Sequence, residues 1–112
     1  MGAERTDING VIIVMVATAN QEEAAKIADQ VVQGRLAACA STIPTIQSTY
    51  WWDGKVMKDQ ESLVLMKTTS DKFPSLQETI QKLHSYKVPE IVALPVSGGF
   101  LPYLEWVRQE TS

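Results

Sequence analysis

The 112-residue chain holds a single cysteine, a single histidine and no run of basic residues. Cys39 has no partner for an internal disulfide, which excludes a cross-linked secreted scaffold and points to a reducing, cytoplasmic compartment. With His84 as the only imidazole, no nucleophile–base arrangement is marked, and no Gly-rich phosphate loop stands beside it. The expectation is a protein that is not an enzyme. A net charge of −3 and a pI near 5.0 leave no electrostatic footprint for nucleic acid or an anionic membrane. No apolar run reaches the length of a membrane span, and no signal-peptide h-region is marked. Repeats, linkers and low-complexity segments are missing too. That leaves one domain over residues 11–112 behind a polar N-terminal tail, 1–10, expected to be disordered.

What the chain does have is concentrated between Ala38 and Ser70, which reads as one very long β-hairpin folded at Asp53-Gly54. An Asp-Gly pair between bulky β-prone residues suits a type I′ turn, which needs positive φ at both central positions. A two-residue loop fixes the pairing: Trp52 faces Lys55, Tyr50 faces Met57 and Ser48 faces Asp59, with Trp51 and Val56 on the other face. Strands of about fifteen residues reach ~50 Å, whereas a compact domain of this length is roughly 35 Å across. The hairpin should therefore overhang its domain, and a free ribbon carrying Tyr50, Trp51 and Trp52 in water is marginal. Another chain is the expected cover for that tip.

The flanking segments supply the rest of a sheet and its helices. Val11 to Ala17 is a continuous β-branched run, predicted to be a strand buried on both faces at the sheet's centre. Asn20 opens a helix with Glu23 as its capping-box partner, Ala24, Ile27, Ala28 and Val31 on one face, and Gly34 at the C′ position. Pro44 predicts a bulge or an edge in the first hairpin strand, while the apolar Leu63–Met66 segment belongs in the sheet interior. A second helix from Ser70 or Asp71 carries Phe73, Leu76, Ile80 and Leu83, and Tyr86–Glu90 connects it to a fourth strand ending at Pro95. Pro102 suits N1 of a short final helix. The fold class is α+β: a ferredoxin-like split βαβ, β-α-β-β-α-β plus a C-terminal helix, with a long β2-β3 hairpin. Two helices cover one sheet face and leave the other for a partner.

Taken together, Leu36-Ala-Ala-Cys39, Tyr50-x-Trp52-x-Gly54-Lys55, Lys67-Thr68, His84-x-Tyr86, Pro89-Glu90 and Leu94-Pro95-Val96 resemble the CutA divalent-cation-tolerance family from about Val11 to Arg108. The resemblance implies a ferredoxin-like homotrimer, in agreement with the overhanging hairpin, and a role in copper or other divalent-metal binding. Where bacterial relatives place a cysteine and a His-His pair, this chain has Val16, Leu83 and His84, and Ser85 stands where a proline is usual. His84 is the one matching metal ligand. One imidazole does not make a selective transition-metal site, so the expectation is weak Cu2+ or other divalent-metal binding and no required cofactor. Cys39, Lys67, Tyr86 and Glu90 are the candidate lining of an intersubunit cleft, with Tyr50, Trp51 and Trp52 at the trimer interface. Cys39, in an apolar strand start, reads first as a small hydrophobe. The alternative is a PII-like trimeric signalling protein binding a small metabolite or nucleotide. Its long mobile loop is replaced here by the tight Asp53-Gly54 turn.

Overall fold

In the computed structural model, which describes residues 10–112, four strands form one antiparallel sheet in the order β2-β3-β1-β4. The elements run β1 (Val11–Thr18), α1 (Gln21–Gln33), β2 (Cys39–Trp52), β3 (Lys55–Thr69), α2 (Phe73–Leu83), β4 (Ile91–Pro95) and α3 (Leu101–Glu110), the expected ferredoxin-like arrangement with an added helix. A 3-10 turn over Ser70–Lys72 precedes α2. The tail expected to be disordered lies outside the described residues except for Gly10, which belongs to the fold instead. Its carbonyl accepts from the Ser70 N–H at 2.9 Å and from Ser70 Oγ at 3.1 Å.

Alternation along β1 and β3 divides the sheet into two unlike faces. Ile12, Val14 and Val16 join Val64 and Met66 beneath Ala24, Ile27 and Val31 of α1 and Leu76 and Ile80 of α2, forming the main core. Fully burying one such side chain is worth about 1.5–3 kcal/mol, so this layer dominates stability. The opposite face is covered at one end by α3, where Val11, Ala38 and Val107 pack with Val96 and Leu104. Beyond α3, Ile13, Met15, Leu63 and Leu65 remain half-buried, and Val92 and Leu94 are exposed. Within one chain, then, β1 is not buried on both faces as its apolar run predicts; the second face is left open.

The hairpin follows the predicted register, with Trp52 opposite Lys55, Tyr50 opposite Met57, Trp51 opposite Val56 and Ser48 opposite Asp59. Asp53 (φ 51) and Gly54 (φ 76) adopt the positive φ values that the turn requires. Pro44 produces both of its anticipated effects: β2 is an edge strand, and the register shifts between Ile43 and Ile46, placing one extra residue on β2. Ser62 Oγ donates to the Pro44 carbonyl at 2.6 Å, satisfying a group that the bulge takes out of the ladder. The longest dimension of the molecule is 43 Å, shorter than the reach of an ideal extended strand. Bulged and twisted strands rise less per residue.

Two helix-end details differ from expectation. Glu23 donates its N–H to Asn20 Oδ1 at 2.8 Å as a cap requires, but its carboxylate accepts from Ala19 rather than from Asn20. At the other end Gly34 keeps a negative φ of −81, and the left-handed position falls to Arg35 at φ 60. Arg35 Nη1 meets Glu110 Oε1 at 2.7 Å, a cross-fold contact available to an arginine and not to a glycine.

Candidate functional site

The site begins at the seam between α2 and β1. His84 closes α2, donating its N–H to the Ile80 carbonyl at 2.9 Å, and turns its ring inward until the side chain has no exposure. Nε2 lies 2.7 Å from the Ala17 carbonyl, which can only accept, so Nε2 carries the hydrogen. The Tyr86 N–H donates into Nδ1 at 3.0 Å. The ring is therefore the neutral Nε2–H tautomer with both nitrogens committed, and the Tyr86 ring packs against it at 4.8 Å between centroids. Rather than completing the carbonyls of its own helix with its ring, the histidine bridges to β1.

Glu23 holds the same connector from the other side. Its carboxylate accepts from the Ala19 N–H at 2.9 Å and from the Ser85 N–H at 2.6 Å, and Oε1 lies 3.9 Å from His84 Nδ1. Desolvation, the largest single influence, pushes this carboxyl up. The hydrogen bonds from Ala19 and Ser85 outweigh it and hold the group below its ordinary value. Ser85, where the resemblance leads one to expect proline, supplies an amide hydrogen that proline lacks.

Pinned this way, the Tyr86–Glu90 connector faces the outer half of the hairpin across a cavity of about 610 Å³. Tyr50 and Trp52 come from β2, Glu61 from β3, and Tyr86, Lys87 and Glu90 from the connector; Ser48, Thr49, Ala17 and Val88 complete the wall. Tyr86 Oη donates to Glu61 Oε2 at 2.8 Å, closing the cavity between connector and hairpin. Tyr50 Oη donates to Asp59. Burial first, then the hydrogen bond to Glu61 and the surrounding negative charge, drive the Tyr86 phenol far above its usual value.

Of the four residues expected to line one cleft, Tyr86 and Glu90 line this cavity and Cys39 and Lys67 do not. Cys39 and Lys67 face each other across β2 and β3. Lys67 Nζ donates to Ser41 Oγ at 3.3 Å, and Cys39 Sγ sits 3.5 Å from Tyr103 Oη beside α3. The Cys39 contact is the main reason the Tyr103 phenol is pushed up to about 12. Within one chain the four residues occupy two places. Cys39 is half-buried rather than fully enclosed. Tyr50 and Trp52 share a face of the hairpin and line the cavity, while Trp51, on the other face, is 74% exposed.

Three contributors escaped the sequence reading: Glu61, Asp59 and the connector-holding role of Glu23. Asp59 could have been found, since the turn register puts it opposite Ser48 and diagonal to Tyr50 on one face. For a resident metal the fit is poor. Among the described residues no group of three or more His, Cys, Asp or Glu side chains is placed to hold an ion, Val16 lies in the core, and His84 has no uncommitted lone pair.

Comparison with known proteins agrees with this architecture. The family model described as "CutA1 divalent ion tolerance protein" matches residues 12–110. A "Divalent-cation tolerance protein CutA" from Thermus thermophilus is 46% identical over 99 residues, covering 88% of this chain and 96% of the relative. A "Protein CutA" from Homo sapiens is 48% identical over 92 residues, covering 82% of this chain and 51% of the relative. The chain thus spans nearly all of the bacterial relative and about half of the human one. Among solved structures, CutA1 from Oryza sativa superposes with a TM-score of 0.90 at 40% identity, covering 94% of this chain and 96% of that one. Match length and identity together make the assignment: the chain belongs to the CutA1 divalent ion tolerance family.

Proposed function

We propose that the protein is a non-enzymatic, homotrimeric binding protein whose working site is the cavity between the hairpin and the Tyr86–Glu90 connector. The observation that carries the reading is that cavity itself. Its volume of about 610 Å³ falls in the range of small-molecule sites, and it is walled by aromatic rings with a few convergent polar groups. His84 and Glu23 act as positioning residues that hold the connector in place. Copper or another divalent ion is bound weakly, through donors shared between copies or through surface carboxylates, and no cofactor is required. A part in divalent-cation tolerance is the wider role that the relatives' names suggest for this chain.

The trimer is supported by the half-buried apolar strip of Ile13, Met15, Leu63 and Leu65 and by Trp51, Trp52, Val92 and Leu94, which one chain leaves exposed. Among the described residues no helix is long and apolar enough to cross a membrane. The cytoplasmic assignment rests on the single unpaired Cys39. A PII-like switch lacks its instrument, because two residues, Asp53 and Gly54, make the whole connection between β2 and β3. The test is a binding screen read by thermal shift on the assembled protein and on a Tyr86→Ala variant. Ligands that raise the melting temperature of the first and not the second support the site; hits indifferent to Tyr86 refute it.

A further inference from the structure

Donors and acceptors around the cavity are sharply unequal. The two phenols that face it have each given their hydrogen to a carboxylate, Tyr86 to Glu61 and Tyr50 to Asp59. They therefore turn ring faces and oxygen lone pairs to a ligand, not O–H donors. Among the described residues, Glu61 and Glu90 line the wall, Lys87 is its single cationic side chain, and Ser48 and Thr49 offer the only hydroxyls not already tied to a carboxylate. An anion would meet two carboxylates against one ammonium. An apolar ligand would strip water from those carboxylates and return nothing, and a neutral hydroxyl would return one hydrogen bond and no opposite charge. A bare metal ion would find too few donors, since no three-donor group exists among the described residues.

From this, and resting on the reading of the cavity as the binding site, we propose that the ligand is an organic cation, a protonated amine or quaternary ammonium, seated against the Trp52 and Tyr86 rings with Glu61 and Glu90 as counter-charges. A ring face attracts a cation within about 6 Å of its centroid, most strongly for indole. The carboxylates that take up the phenolic hydrogens add negative charge behind the rings. Burial first, and then the hydrogen bond to Glu61 and that carboxylate's charge, push the pKa of the Tyr86 phenol up and suppress its dissociation. The cavity is sized for a molecule and not for a single ion.

Three molecules of one shape and different charge test the idea: neopentylammonium, neopentyl alcohol and pivalate, titrated to millimolar concentration against tryptophan fluorescence and by calorimetry. The ammonium is expected to bind at least about tenfold more tightly than the alcohol, with pivalate weaker still. Glu61→Gln and Glu90→Gln should each cut ammonium affinity several-fold and leave the alcohol unchanged. Glu90 is exposed, so its variant stays informative if Glu61→Gln fails to fold. If the alcohol or pivalate binds as tightly as the ammonium, the cation assignment fails while the site stands. If none of the three binds, the site itself is refuted. Sedimentation with neopentylammonium present separates the two sources of a cation. Unchanged assembly supports a free ligand, whereas released subunits would mean that a lysine or arginine of a neighbouring copy fills the cavity, which overturns a small-molecule ligand.

Discussion

His84 donates from Nε2 to the carbonyl of Ala17 at 2.7 Å, joining two residues 67 positions apart in the chain. Ala17 ends the core run of β1 and lines the cavity, while His84 begins the connector, so one hydrogen bond sets the distance between floor and wall. His84→Ala should destabilise the fold by about 2–3 kcal/mol, because it leaves the Ala17 carbonyl and the Tyr86 N–H without partners. Copper titration should give the same weak binding before and after the substitution. Tight copper binding that disappears with His84 would restore the imidazole as a ligand and remove it as a strut.

The carboxylate of Glu23 makes stability depend on acid. Its folded pKa lies below the ordinary 4.5, so the unfolded chain binds the proton more readily. Its contribution is therefore complete above pH 4.5 and fades as pH falls through the depressed folded value. Glu23→Gln should cost about 1–2 kcal/mol at neutral pH. Denaturation of both proteins across pH 3–7 checks this, and a gap that fails to close in acid would contradict it.

Assembly should depend on the hairpin tip. Trp51 is 74% exposed in one chain, and an aromatic buried at an interface is worth about 2 kcal/mol or more. Sedimentation should give about three chains per particle. Trp51→Asp should weaken that association before it alters the monomer's circular dichroism. A wild-type monomer at micromolar concentration would refute the covering argument.

At the turn, Gly54 has φ 76 and open space where a Cβ would go, so any penalty for alanine is one of backbone conformation alone. Gly54→Ala should cost about 1 kcal/mol. Arg35→Gly, at φ 60, relieves the same kind of strain but loses the 2.7 Å contact with Glu110. Its net change should stay within about 0.5 kcal/mol, as melting curves in low and high salt would reveal.

Much of the fold was legible because short-range rules governed it. Asp53-Gly54 sets the hairpin register out to Ser48 and Asp59, Pro44 announces the bulge, and the β-branched run of β1 declares a central strand. The site was less legible for an equally physical reason. That Tyr86 and Glu90 meet Tyr50 and Trp52, while Cys39 and Lys67 do not, depends on where the connector lands. That landing is decided by contacts of Glu23 with Ser85 and of His84 with Ala17, which no periodicity encodes. Arg35 taking the left-handed position beside an available Gly34 is a similar case: its side chain meets Glu110, 75 residues away in the chain.

Both outer strands of the sheet carry a proline, Pro44 within β2 and Pro95 at the end of β4. An edge strand is a template on which unrelated chains can propagate cross-β aggregates, and it is most vulnerable while a newly made protein is still finding its partners. Proline brings no amide hydrogen to such a ladder, and the bulge at Pro44 bends its strand as well. A foreign strand arriving before the sheet is covered would thus meet an interrupted edge at Pro44 and another at Pro95.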